Sequence, residues 1–278
     1  MSNSEAAQTV WGKVGWAAPA ILAEGRVGEA ARQLAAYFRK LDLETCDYMT
    51  GASFSDLGGG GDRPEVANVI TAEDIVAVES LSVTFRRIHQ LQLLGAGVTE
   101  SGRAASRSWI NSVPLEQKLR SRDYPNAVEV PIDSQAVTAA LARIPNGVDL
   151  AELTDDEKTD VMQDVDWVWR EMRRAHLGQT MVSKLLARKR PKLLPIIDSA
   201  VKKRLFQASG KATRKARNIG FYRSMWEVMS DPDLALPSHL SDIRERAFDV
   251  SGDARITRLS DLRVFDIVVW MDVKYPST

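Results

Sequence analysis

One aspartate in the C-terminal half of the chain stands where a fixed carboxylate could take part in chemistry. Asp198 follows a segment that contains Pro191 and Pro195, and each proline disfavours helix in the residue before it. Asp198 then occupies the N-cap position of a predicted helix that begins at Ser199. The helix dipole favours the anion there, which suits stabilisation of a developing positive charge better than acid catalysis. The alternative is that Asp198 only caps its helix.

A turn and a basic helix precede this segment. The turn contains Gly178, Gln179 and Thr180, and the backbone N–H groups at the start of the following helix could bind a phosphate. An apolar stripe runs along one side of the helix, so we expect its basic residues to face outward and add phosphate contacts. These basic residues are Lys184, Arg188, Lys189 and Arg190. An ordinary turn between two helices, followed by exposed lysines, is the alternative interpretation.

The helix predicted before the turn runs from Thr154 to about Ala175. Thr154 and Glu157 have the spacing of a capping box, and apolar residues recur with a three-four alternation after them. Acidic residues occupy the start of this segment and arginines occupy its end, which complements the helix dipole. The pattern therefore predicts helix, turn, helix, extended segment and capped aspartate in that order.

This order of parts resembles the helix-hairpin-helix DNA glycosylase superfamily. In that family a hairpin ending in glycine leads into a helix and then into an extended P-x-x-D-x-x-V segment with a catalytic aspartate. Gly178 and Asp198 stand in that register, and PIIDSAV matches the second half of the motif. His176 occupies the position of the first glycine of the family's usual G-x-G pair. Thr180 stands where bifunctional members carry a lysine, so the resemblance implies no Schiff-base chemistry.

The resemblance implies a mainly α fold with two helical lobes and DNA in the cleft between them. It also implies a monofunctional DNA glycosylase that hydrolyses the N-glycosidic bond of a damaged or modified base, with Asp198 as the catalytic carboxylate. The expected partner is double-stranded DNA with a flipped modified base. We expect no metal, no cofactor and no obligate protein partner. Such an enzyme would serve DNA repair or defence against phages with modified bases, and the sequence does not choose between them.

A flipped base needs a pocket lined by aromatic or apolar side chains. Trp167 and Trp169 lie two positions apart on the predicted helix, so both cannot face the core. Trp109 and His176 are the remaining pocket candidates. Packing in the core is the alternative role for each of these tryptophans.

A second resemblance is to a bacterial family of uncharacterised proteins and implies no activity. It lies in the segments YMTGASF, ITAEDIVAVESLSV and KLLARKRPKLLP.

Composition favours a globular protein. The chain has 278 residues, of which 44% are hydrophobic, and none of its apolar stretches approaches the ~20 residues that a bilayer requires. We therefore expect a cytoplasmic protein. One cysteine and three histidines provide too few ligands for a Cys/His zinc site or an iron–sulfur cluster.

Charge is unevenly distributed along a chain whose formal net charge is zero. Residues 170–223 contain 16 lysines and arginines but two acids, while the remainder contains 21 basic and 35 acidic residues. A local basic segment of this kind is what phosphate binding requires. Ion pairing between this segment and the acidic remainder is the alternative.

The sequence divides into three predicted segments. Residues 1–70 form a helical segment with a glycine-rich loop at 58–61, residues 71–190 a helical domain that ends in the hairpin, and residues 191–278 a C-terminal lobe. The glycine run has no Walker lysine after it, so we interpret it as a mobile loop. Two rivals to the enzyme remain: a non-catalytic helix-hairpin-helix DNA-binding protein and a helical protein-interaction scaffold.

Overall fold

The computed structural model describes residues 10–11, 13–39, 49–112, 130–174, 176–206 and 219–276. Within these ranges the chain is mainly helical, which confirms the predicted fold class at the level of mainly α. Helices long and apolar enough to cross a membrane are absent from these ranges.

The secondary structure consists of one short strand pair followed by a series of helices. Val10 pairs with Ala17 and Trp11 with Trp16 in a two-stranded antiparallel sheet, which the sequence analysis did not predict. The described strands and α-helices, in chain order, are β1 (Val10–Trp11), β2 (Trp16–Ala17), α1 (Val27–Tyr37), α2 (Ala72–Glu79), α3 (Arg87–Leu93), α4 (Glu100–Ser112), α5 (Ser134–Leu141), α6 (Asp155–Met172), α7 (Gln179–Lys189), α8 (Ser199–Leu205), α9 (Ile219–Met229), α10 (Leu236–Ser251) and α11 (Asp261–Lys274).

Side-chain caps set the starts of several helices. Thr154 and Glu157 form the predicted capping box at the start of α6, in which the Glu157 carboxylate accepts from the Thr154 backbone N–H at 2.9 Å. Thr71 and Asp74 form a second capping box at the start of α2. Helix α6 ends at Met172, three residues before the predicted end, because the chain then turns into the hairpin.

The chain divides into two compact units. Unit 1 comprises Met1–Ala52, Gly147–Leu153 and Pro191–Thr278, and unit 2 comprises Ser53–Asn146 and Thr154–Arg190. The sequence-based division also breaks the chain after Arg190, but it separates the N-terminal residues from the C-terminal lobe. Unit 1 unites them because α1 packs against α10 and α11.

The core of unit 1 lies among α1, α10 and α11. Leu34, Ile243 and Phe265 come from these three helices and are buried. The ring of Trp16 in β2 lies 5.0 Å from that of Phe221, measured between ring centroids. Helix α8, which follows Asp198, packs against both α11 and β2, so the core fixes the element that Asp198 begins.

The core of unit 2 lies where α5 packs on α6 and α2 packs on α7. Leu141, Val165 and Val182 are fully buried contributors from three of these helices. Every residue of α7 from Val182 to Lys189 is buried. This helix therefore has no outward basic face, contrary to the prediction from its amphipathic pattern.

Candidate functional site

The hairpin predicted from sequence is a tight turn between α6 and α7. Leu177 donates its backbone N–H to the carbonyl of Arg174 at 3.1 Å, and Leu177 is fully buried. His176 at the tip is exposed and has a φ of +64°. A left-handed φ favours glycine, so the position where the resembled family carries its first glycine has the conformation that a glycine would suit.

Gly178 begins α7 in an extended conformation. Its φ is −76°, and a Cβ built on it would meet no heavy atom within 4 Å. Gly178 has no side chain to cap the helix, and no side chain among the described residues caps this helix start. Gln179 and Thr180 are partly exposed in the first turn. The predicted phosphate site at the start of α7 thus keeps backbone donors that no side chain caps.

The structure contradicts the predicted phosphate contacts of four basic residues. Each of them is at most 4% exposed, so a phosphate cannot reach its charged group. They are Lys184, Arg188, Lys189 and Arg190. The apolar pattern suggested an outward basic face, but α7 is surrounded by other parts of unit 2, and its cations donate to buried acceptors.

Lys184 and Arg188 bind segments that lie far away in the sequence. The Nζ of Lys184 donates to the carbonyl of Leu81 at 2.7 Å. The Nε of Arg188 lies 3.3 Å from Oδ1 of Asp74, and its two Nη groups donate to the carbonyls of Phe54 and Leu57. Burial lowers the pKa of Arg188, and the Asp74 carboxylate opposes that shift.

Lys189 shares the same carboxylate. Its Nζ forms an ion pair with Oδ2 of Asp74 and donates to the carbonyls of Gly61 and Val66, the latter at 3.0 Å. Burial lowers the pKa of Lys189, and the hydrogen bond to Asp74 opposes that shift. One buried carboxylate therefore serves as counterion to two buried cations and also caps α2.

Arg190 completes the cluster without a direct carboxylate. Its guanidinium donates to the carbonyls of Leu141, Ile144 and Ala67 and to the amide oxygen of Asn68. Burial lowers the pKa of Arg190 to about 10. We name Asp74, Arg188, Lys189 and Arg190 the buried charge cluster, and its hydrogen bonds fix the backbone of residues 54–68.

The glycine run, which the sequence suggested is a mobile loop, lies against the buried charge cluster. Three successive glycines, residues 58–60, have positive φ angles that let the chain turn. A Cβ on Gly61 would lie 2.6 Å from the carbonyl oxygen of Arg188 and 2.7 Å from Oδ1 of Asp74. Only glycine fits at this position, because any side chain would collide with the cluster.

Asp198 caps α8 as predicted. Its Oδ1 accepts the backbone N–H of Ala200 at 2.7 Å, and the residue is partly exposed. The preceding residues from Leu193 to Ile197 are buried, so the carboxylate emerges from a fixed segment. Within the described residues, Oδ2 of Asp198 has no recorded hydrogen bond. Asp198 therefore caps α8 through one carboxylate oxygen, and the residue as a whole stays partly exposed.

The pocket candidates have different environments. Trp169 is fully buried, whereas Trp167 is 37% exposed, which confirms that the two rings cannot both face the core. The guanidinium of Arg143 lies 5.6 Å from the ring centroid of Trp167. The side chain of Trp109 lies outside the described residues. Full burial of Trp169 makes it a packing residue and contradicts a pocket role for its ring.

Comparison with known proteins identifies a family. A sequence profile of the family of unknown function DUF6308 matches residues 30–133 and 130–273. The chain belongs to this family. This chain matched no curated protein and no solved structure.

In this DUF6308 protein, the three segments that suggested an uncharacterised family meet in the buried charge cluster. The first contributes the carbonyl of Phe54, the second contributes Asp74, and the third contributes Arg188. Asp74 was not among the residues predicted to form the site. Its position in the first turn of a threonine-capped helix indicated a role in the cap, but it did not indicate the ion pairs with Arg188 and Lys189.

Proposed function

We propose that this DUF6308 protein is a monofunctional DNA glycosylase that hydrolyses the N-glycosidic bond of a damaged or modified base. The observation that carries the proposal is the presentation of Asp198, whose partly exposed carboxylate begins α8 at the end of a buried extended segment. The order of helix, turn with a left-handed residue, helix and extended segment before it supports the proposal.

Asp198 would act by stabilising positive charge on the sugar. As the bond between the sugar and the base breaks, its electron pair leaves with the base and the sugar gains oxocarbenium character. A carboxylate near the sugar stabilises this positive charge and orients the attacking water. The water oxygen bonds to the anomeric carbon and gives up a proton, and the departing base takes up a proton. Because Thr180 stands where a lysine would form a Schiff base, water is the nucleophile.

The hairpin would hold the DNA backbone. Uncapped N–H groups in the first turn of α7, at Gly178, Gln179 and Thr180, are donors of the kind that bind a phosphate oxygen. Contacts of this kind position the duplex without reading its sequence. Exposed His176 stands beside them at the tip of the turn.

A helical interaction scaffold is the second candidate. The burial of Lys184, Arg188, Lys189 and Arg190 favours it, because these four of the sixteen cations in the basic segment serve the protein's own fold. A scaffold would show no salt-dependent affinity for duplex DNA, whereas both a glycosylase and a non-catalytic DNA-binding protein would.

The experiment that tests the proposal is a search for released base. The protein is incubated with duplexes that carry damaged, deaminated or hypermodified bases, and free base is measured by mass spectrometry. Release from a damaged or deaminated base would indicate repair, and release from a hypermodified base would indicate phage defence. Alkali-labile strand breaks should accompany release. Duplex binding without base release would indicate a non-catalytic DNA-binding protein. A protein that neither binds duplex DNA nor releases base would be assigned to the interaction scaffold.

A further inference from the structure

Two consecutive arginines at the end of α6 have opposite environments. Arg174 donates to the carbonyls of Val130 and Pro131 and to the hydroxyl of Ser106, among other acceptors. Arg173, the C-cap residue of α6, makes no recorded side-chain hydrogen bond or ion pair with any described residue. Its Nε is buried without a hydrogen-bond partner.

Arg173 is partly buried. The residue as a whole keeps partial exposure, and its guanidinium carbon lies 6.0 Å from the ring centroid of Trp169. Burial lowers the pKa of Arg173 to about 10, and no carboxylate in the described part of the chain opposes that shift. For Arg174, by contrast, Glu171 and Asp133 oppose the effect of burial.

An unpaired and partly desolvated cation destabilises the protein that holds it. The ring face of Trp169 offsets part of this cost, because aromatic rings attract cations. A guanidinium that the fold dehydrates but leaves without an acceptor is suited to an anion from outside. Phosphate oxygens match its planar array of donors.

We propose that Arg173 binds a backbone phosphate of duplex DNA. It lies in the same turn as the uncapped start of α7, so both sets of donors belong to one short segment. The choice of DNA rests on the proposed function, whereas the need for an anion rests on the environment of Arg173 itself. Arg173 would thus make the kind of phosphate contact that the sequence had predicted for the cations of α7, which are buried.

The test compares Arg173→Met with a matched control. Methionine keeps the packing of the arginine stem while removing the charge. Arg170→Met removes the same charge three residues earlier on α6, where the Nε of Arg170 donates to Asp166 at 2.7 Å and the side chain is 40% exposed. Affinity for an unmodified duplex is measured by fluorescence anisotropy at several salt concentrations, and the melting temperature is measured without DNA.

We expect Arg173→Met to weaken duplex binding by about tenfold and to reduce the salt slope by about one, because one phosphate contact is lost. Its melting temperature should equal or exceed that of the wild type, since an unpaired buried charge is removed. Arg173→Lys should retain part of the affinity. Arg170→Met should bind the duplex much like the wild type.

Three results would overturn the inference. They are wild-type duplex affinity in Arg173→Met, a lowered melting temperature that marks Arg173 as structural, and a wild-type protein that binds no duplex. Stabilisation of the wild type by inorganic phosphate through Arg173, with duplex affinity unchanged, would assign the residue to a small phosphate compound instead. Duplex binding through Arg173 without any base release would sustain this inference while refuting the glycosylase.

Discussion

The Nε of Arg188 lies 3.3 Å from Oδ1 of Asp74, although the two residues are 114 positions apart in the sequence. Both side chains are 1% exposed. Lys189 binds the other oxygen of the same carboxylate. The part of the basic segment that forms α7 therefore lies in the interior of unit 2 and does not form a nucleic-acid surface.

Replacement of Asp74 by asparagine should destabilise the protein by about 3 kcal/mol or more, because two buried cations lose their counterion. The control is Asp164→Asn, which breaks a partly exposed ion pair with Arg143 and should cost less than about 1 kcal/mol. Chemical denaturation followed by circular dichroism measures both. Equal effects of the two substitutions would show that the buried charge cluster is not a main source of stability.

Replacement of Gly61 by alanine should destabilise unit 2 by about 1–3 kcal/mol, because the new methyl group would collide with the Arg188 carbonyl and the Asp74 carboxylate. Gly178→Ala is the control, since nothing lies within 4 Å of its added Cβ. Thermal unfolding compares the two proteins. A Gly61→Ala protein as stable as the control would mean that the loop does not pass this close to the cluster.

The caps and the turn between α6 and α7 could be predicted from sequence, but the burial of the basic helix could not. Thr154, Glu157 and Asp198 act on groups within three residues of themselves, so their spacing contains the necessary information. Arg188 donates to acceptors as far as 134 residues away, and no local pattern reveals them. Arg173 could not be predicted for a related reason. Its buried Nε has no hydrogen-bond acceptor, and a sequence pattern does not show which donors lack one.

Replacement of His176 by glycine should stabilise the protein by about 0.5–1 kcal/mol, because a non-glycine residue with φ of +64° is strained. His176→Ala, which keeps the strain, serves as the control and should leave stability close to that of the wild type. The melting temperatures of the wild type and the two variants measure these differences in stability. If glycine lowered the melting temperature, the left-handed turn would not exist in solution.

Replacement of Glu157 by glutamine should lower stability at neutral pH and have no effect in acid. Hydrogen bonds from the backbone N–H and hydroxyl of Thr154 lower the pKa of Glu157 in the folded state. Stability from this group is therefore present above the unfolded-state pKa and lost as the pH falls through the folded pKa. Melting temperatures of both proteins at pH 7 and pH 3 test this. Asp156→Asn, in the same first turn but with no recorded partner, should show a smaller pH-dependent difference.

The role proposed for the Asp198 carboxylate is tested by comparing base release by the wild-type protein with base release by Asp198→Asn. Asparagine caps a helix as well as aspartate does, so melting temperature and duplex affinity should not change. Asp242→Asn, an exposed acid on α10, is the control and should release base at the wild-type rate. We predict that Asp198→Asn reduces base release by at least about 100-fold, because the carboxylate that stabilises the oxocarbenium is gone. Release by Asp198→Asn at the wild-type rate would contradict the account.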